Sequence, residues 1–180
     1  IVVYTTDNGG SNCNYGVNTP LAGSKYTLLE GGIRVPFLLR WPGEVPAGVR
    51  RDGLVSSMDI AGTAVAAAGA STEGLDGCDL RPFFAGEVDA VREELHWDTR
   101  WQWAVRRGEW KLRFVEPDSP YADEIRRVEH TEPGSGLHLV NLREDAGESR
   151  DLAAERPDIV DGLRAARDGW RARMDAAAAR

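Results

Sequence analysis

The chain has 180 residues, 42% hydrophobic and 28% charged, with formal net charge −7 and pI near 5.0. This composition fits a soluble globular protein and excludes a nucleic-acid binder, which needs a concentrated basic face. No apolar run approaches the roughly 20 residues of a membrane span. A chain of this length can bury roughly 70% of its unfolded surface as one domain. The first element is an apolar strand, Ile1 to Thr6, running into Asp7-Asn8-Gly9-Gly10. A carboxylate, an amide and two glycines on a turn place hard oxygens at a strand's end. That suits Ca²⁺ or Mg²⁺, and the carboxyl edge of an α/β sheet suits a ligand crevice. Asn-Gly taken alone reads first as a plain turn signal.

Residues 9–24 are rich in Gly, Asn, Ser and Pro and read as an irregular loop of functional length. The dense apolar run Val35 to Trp41 reads as a buried strand, with Pro36 at its start and Pro42-Gly43 ending it. An Ala-rich helix follows over Ile60 to Ala68, with Asp59 or Ser57 as N-cap and Gly69 just past its end. Residues 75–86 read as a loop with a short helix, Leu80 to Phe84.

From Glu94 the pattern turns aromatic and β-like. A strand begins at Leu95-His96-Trp97, and an antiparallel hairpin joins Gln102–Arg106 to Trp110–Val115 through a Gly-containing spacer. Residues 116–136 are polar with three prolines and read as a long excursion before a strand over Leu137 to Leu142. The last element is a helix from about Arg156 to Ala178. Its Ile159, Val160, Leu163, Ala166, Trp170 and Met174 form one stripe to pack on the sheet. The fold class is therefore α/β: part of a mixed sheet over residues 1–90, then over residues 91–180 a small antiparallel sheet packed by the C-terminal helix. Cys13 and Cys78 do not make a disulfide framework and are expected as free thiols. Of 22 basic residues only Lys25 and Lys111 are Lys, which singles out both.

Residues 1–42 resemble the second half of the sulfatase catalytic domain, within the alkaline phosphatase superfamily. The resemblance rests on Asp7, Asn8, Lys25, Thr27 and the run Glu30-Gly31-Gly32-Ile33-Arg34-Val35-Pro36. Asp76-Gly77-Cys78-Asp79-Leu80-Arg81-Pro82 and the Ala-Val-Arg-x-Gly-x-Trp-Lys stretch ending at Lys111 extend it along the chain. It implies that Asp7 and Asn8 are metal ligands, with Ca²⁺ the expected ion and Mg²⁺ the alternative. It implies that Lys25 contacts the sulfate and acts in catalysis. The expected partner is a sulfated small molecule or glycan, cleaved as a sulfate monoester of a carbohydrate or aryl alcohol.

In that family a Cys matured to formylglycine, once hydrated, attacks sulfur. Neither Cys13 nor Cys78 lies in the family's nucleophile motif, and the paired acidic metal ligands have no counterpart here. The sequence opens inside a strand without Met, so it reads as the C-terminal portion of a sulfatase, inactive alone, with formylglycine expected upstream. A phosphonate monoester or phosphodiester hydrolase of the same superfamily is the alternative within enzymes. A noncatalytic binding module is the alternative outside them. Of the remaining candidates, His96 beside Trp97 and Asp98 is the histidine to consider near substrate. Arg34 reads as structural. Trp97, Trp101 and Trp103 form either a sugar-stacking wall or the packing of the small sheet on its helix.

Overall fold

Strands form where β-branched and aromatic residues gather, and helices where apolar residues recur at three- and four-residue spacing. The computed structural model describes residues 1–179. Its elements in order are β1 (Val2–Thr5), α1 (Glu30–Ile33), β2 (Phe37–Arg40), α2 (Met58–Ala67), α3 (Arg81–Ala85), β3 (Glu94–Asp98), β4 (Gln102–Arg107), β5 (Trp110–Val115), α4 (Pro120–Glu129), β6 (Gly136–Asn141) and α5 (Pro157–Ala178). They group into two units: residues 1–6 with 36–93, and residues 7–35 with the chain from Glu94 onward.

In the first unit β1 and β2 pair antiparallel, from Val2 opposite Arg40 to Thr5 opposite Phe37. The run from Val35 to Trp41 was expected to be buried, and here the structure differs. Val2, Tyr4 and Leu38 are 59%, 61% and 58% exposed, whereas Val3, Phe37 and Leu39 are half-buried. Side chains alternate across a strand. The face with Val3, Phe37 and Leu39 lines an apolar cavity of about 300 Å³ together with Ile60 and Ala64 of α2.

Asp59 is not the N-cap of α2, which is Ser57. Asp59 lies inside the helix, fully buried, accepting the N–H groups of Ser56 (2.6 Å) and Cys78 (2.8 Å) and pairing with Arg92. This holds the start of α2 to the Asp76-Gly77-Cys78 segment. Burial of Leu80 and Phe83 anchors α3, and Gly86 at φ +84° ends it.

The second unit is built on a four-stranded antiparallel sheet in the order β3-β4-β5-β6. The β4–β5 hairpin closes at Arg107 opposite Trp110, with Gly108 supplying the positive φ at the first turn position. Val105, Leu112 and Leu139 from the sheet pack with Val160 and Leu163 of α5 to form the core. The helix starts on Pro157, which suits the first turn. Where residues 116–136 were expected to be an excursion, α4 starts at Pro120, after the N-cap Ser119, and buries Ala122, Ile125 and Glu129. Cys13 and Cys78 are both free. Among the described residues, no helix is long and apolar enough to cross a membrane.

Candidate active site

The Asp7-to-Gly10 turn is stitched to two neighbouring backbones. The Gly9 N–H donates to Gly32 O at 2.9 Å, and the Lys25 N–H donates to Gly10 O at 3.2 Å. A Cβ on Gly9 would sit 1.7 Å from Gly31 O, so only glycine permits the approach. Asn18 bridges the loop from both ends of its amide. Its oxygen accepts Gly10 N–H at 2.8 Å, and its nitrogen donates to Gly10 O (2.8 Å) and Gly23 O (3.0 Å). These bonds bring the Lys25 peptide to the Asp-Asn-Gly-Gly turn, so three of the four expected site residues share one loop cluster.

Within that cluster the Asp7 carboxylate is exposed and accepts the Asn8 N–H at 3.0 Å. The Asn8 side-chain nitrogen donates to Gly9 O at 2.9 Å. One carboxylate and one amide oxygen are hard donors suited to Ca²⁺ or Mg²⁺, and they fit as part of a cage that needs about six oxygens. Among the described residues no group of three or more His, Cys, Asp or Glu is placed to hold a metal ion.

Buried acids fix the segments that flank the cluster. The carboxylate of Glu129 accepts Ser11 Oγ–H at 2.5 Å and Asn12 N–H at 2.7 Å. The Asn12 amide reaches Thr131 Oγ1 at 2.9 Å, and Ser24 Oγ lies 3.2 Å from that same hydroxyl. Burial raises the Glu129 pKa, but the donors from Ser11, Asn12, Cys13 and Ser24 outweigh it and hold the carboxyl below the usual range.

Glu30, 1% exposed at the head of α1, receives Lys111 Nζ at 2.9 Å and Arg106 Nη1 at 3.2 Å. Lys111 Nζ also lies 3.0 Å from Glu148, which in turn accepts the Glu30 N–H. Glu148 adopts φ +52°, uncommon for a non-glycine residue, while its carboxylate lies beside Lys111. The sequence singles out Lys111 by its rarity and by the Ala-Val-Arg-x-Gly-x-Trp-Lys stretch, but not its ion pairs, and it gives no sign of Glu129, Glu148 or Asn18.

Lys25 is half-buried, and its ammonium lies over the Tyr26 ring, 5.0 Å from the centroid. Tyr26 is 54% exposed at φ +76°. Gln102, 2% exposed, fixes this bend from β4: its nitrogen donates to Tyr26 O at 2.7 Å and its oxygen accepts Leu28 N–H at 3.1 Å. Thr27 is buried and donates to Ser24 O at 2.8 Å. Arg34 is exposed at the end of α1.

His96 lies on β3 beneath α5. Its ring stacks on Trp170 at 5.0 Å and 3°, and Nε2 is 3.0 Å from Glu94 Oε1. Its Nδ1 is buried without a hydrogen-bond partner. Trp103 stacks on Phe114 with Arg167 over its ring, and Trp101 lies against Tyr121. Both tryptophans therefore serve packing within this unit.

A protein-family model described as Sulfatase matches residues 1–70. Human arylsulfatase A is 32% identical over 91% of this chain, and the alignment takes in 36% of its own length. Arylsulfatase A of Bos taurus is 33% identical over 84% of the chain and 33% of its own length. The chain belongs to the sulfatase family.

Among solved structures, the sulfatase-family chain aligns with BT33336S-sulf, from work on glycosaminoglycan metabolism by Bacteroides thetaiotaomicron. The TM-score is 0.78 at 24% identity, covering 95% of this chain and 38% of the other. That likeness establishes the fold, an α/β arrangement with two antiparallel sheets and a C-terminal helix. Ps i-CgsB, solved in complex with k-i-k-neocarrahexaose, aligns with a TM-score of 0.73 at 27% identity, covering 93% of this chain and 35% of its own. This sulfatase-family chain spans about a third of the length of the curated relatives it matches.

Proposed function

We propose that this chain carries the Asp-Asn metal ligands and the sulfate-contacting lysine of a sulfatase that hydrolyses sulfate monoesters on a carbohydrate or aryl alcohol. The observation that carries this reading is the backbone bond from Lys25 to Gly10, which brings the cationic residue to the Asp7-Asn8 turn. Asp7 and Asn8 would hold Ca²⁺, or Mg²⁺, together with acidic residues and a formylglycine on a segment outside these 180 residues. The metal, when bound, would withdraw charge from a sulfate oxygen. Lys25 would stabilise the charge that builds on the sulfuryl oxygens as the ester bond breaks. The carbohydrate assignment draws on the oligosaccharide bound in Ps i-CgsB and on arylsulfatase A for the aryl alternative. No substrate contact is assigned to His96, whose ring is occupied by Trp170 and Glu94.

The test is steady-state kinetics on the full-length enzyme containing this chain. Lys25→Ala should lower kcat/KM by roughly 10²–10³, the scale of removing one preorganised charge-stabilising group. Lys25→Arg should recover only part, because a planar fork does not reproduce a compact ammonium. Near-normal kcat/KM in Lys25→Ala would return Lys25 to the solvated surface. A large fall in melting temperature would make its role structural.

A further inference from the structure

Tyr26 departs from ordinary backbone preference. Its φ of +76° lies in the left-handed region, which a bulky aromatic residue rarely adopts. Such outliers persist only where the surroundings enforce them. Here the enforcement comes from Gln102, a buried side chain that clamps the peptide on both sides of Thr27. The ring obtained by this strain is not used as core, since Tyr26 is 54% exposed. Lys25 Nζ lies over it at 5.0 Å. In a sulfate monoester the first carbon of the alcohol is one bridging oxygen away from sulfur. A sulfate held on Lys25 therefore brings the alcohol's ring within reach of the Tyr26 ring.

We infer that Tyr26 is a specificity-determining residue, presenting its exposed ring to the flat face of a cyclic alcohol, sugar or aryl, whose sulfate sits on Lys25. The inference rests on the reading of Lys25 as the sulfate contact. It assigns stacking to a residue outside the three tryptophans that first suggested it. A glycine here would fit the bend without strain and would lack the ring. The aromatic residue is therefore held against local preference, as a binding role requires.

The test uses the 180-residue chain and four probes, followed by amide chemical shifts in NMR titrations: inorganic sulfate, methyl sulfate, glucose 6-sulfate and 4-nitrophenyl sulfate. Methyl sulfate carries the same monoester charge without a ring. The chain should bind at least one ring-bearing ester about fivefold more tightly than methyl sulfate, the scale of one aromatic stack. The two ring-bearing arms separate a sugar face from an aryl face. Tyr26→Phe should keep the preference, and Tyr26→Gly should reduce it to less than about twofold.

Tyr26→Gly should also melt no lower than the parent chain, because it relieves the left-handed backbone. A preference that survives in Tyr26→Gly, or its absence from the parent chain, overturns the inference. So does a marked fall in the melting temperature of Tyr26→Gly, which would make the residue structural. Lys25→Ala separates the two readings. If it leaves methyl sulfate binding unchanged, the assignment of Lys25 fails. If it abolishes that binding while ring preference ignores Tyr26, only the present inference fails.

Discussion

Lys111 shows how a single residue can be conspicuous in sequence while its role stays hidden. Its rarity among 20 arginines marked it, but its partners Glu30 and Glu148 are distant in sequence, so no local pattern joins them. The buried pair is not by itself a source of stability, since desolvating charges offsets their attraction. Removing one member is another matter, because it leaves two carboxylates buried without their shared cation. Lys111→Met should therefore destabilise the chain by about 3–5 kcal/mol in urea denaturation.

Glu129 allows a test by pH. Its folded pKa is depressed below the ordinary value of 4.5, so its stabilising contribution is complete above that value and lost as pH falls through the folded pKa. Measured by urea denaturation, the stability gap between the parent chain and Glu129→Gln should be constant from about pH 6 to 8. It should shrink steadily below about pH 4.5. A gap that stays constant to pH 3 would show that the carboxylate is not the stabilising form.

At the scale of elements, legibility followed how strongly one face is marked. The β4–β5 hairpin and α5 were readable because strand alternation and an apolar stripe along a 22-residue helix are long signals. The helix α4 was not, because only Ala122 and Ile125 give it a buried apolar face and three prolines across residues 116–136 pointed to a loop. Ser119-Pro120, followed by Arg126 and Arg127 in the last turn, was the available start-and-stop signal. The half-exposed β2 was misread because a dense apolar run does not reveal whether both faces are covered.

Gly9 in the turn at the site and Gly162 in α5 make a matched pair of predictions. Gly9→Ala places a methyl group inside van der Waals contact with Gly31 O and should destabilise by more than about 2 kcal/mol, because backbone must move. Gly162→Ala on α5 meets nothing within 4 Å and should stabilise by about 1 kcal/mol through helix propensity. Thermal melts of the two variants should shift in opposite directions. A shared direction would mean that the loop yields to the methyl group, or that α5 is already limited by something other than propensity.

For the whole molecule, the fold was legible in outline because Asp-Asn-Gly-Gly and Glu-Gly-Gly-Ile-Arg-Val-Pro are dense, ordered motifs. The tie between them was not, because it runs through backbone bonds such as Gly9 to Gly32 that no side-chain pattern announces. The same division bears on what these 180 residues should do on their own. They bring Asp7, Asn8 and the Lys25 peptide to one loop cluster, which on the proposed reading would supply two or three oxygens where a hard cation takes six to eight. Water must fill the remaining positions, so the ion gives up little of its hydration shell and gains little from binding. The isolated chain should bind Ca²⁺ weakly in calorimetry, and the full-length enzyme tightly, with Asp7→Ala weakening the latter. The isolated chain should also show no metal-dependent turnover of an aryl sulfate, because neither Cys13 nor Cys78 lies in the nucleophile motif. Tight Ca²⁺ binding by the isolated chain, or turnover lost in an Asp7→Ala control, would mean that these residues assemble a complete site by themselves. Unchanged Ca²⁺ affinity in full-length Asp7→Ala would instead remove Asp7 from the metal site.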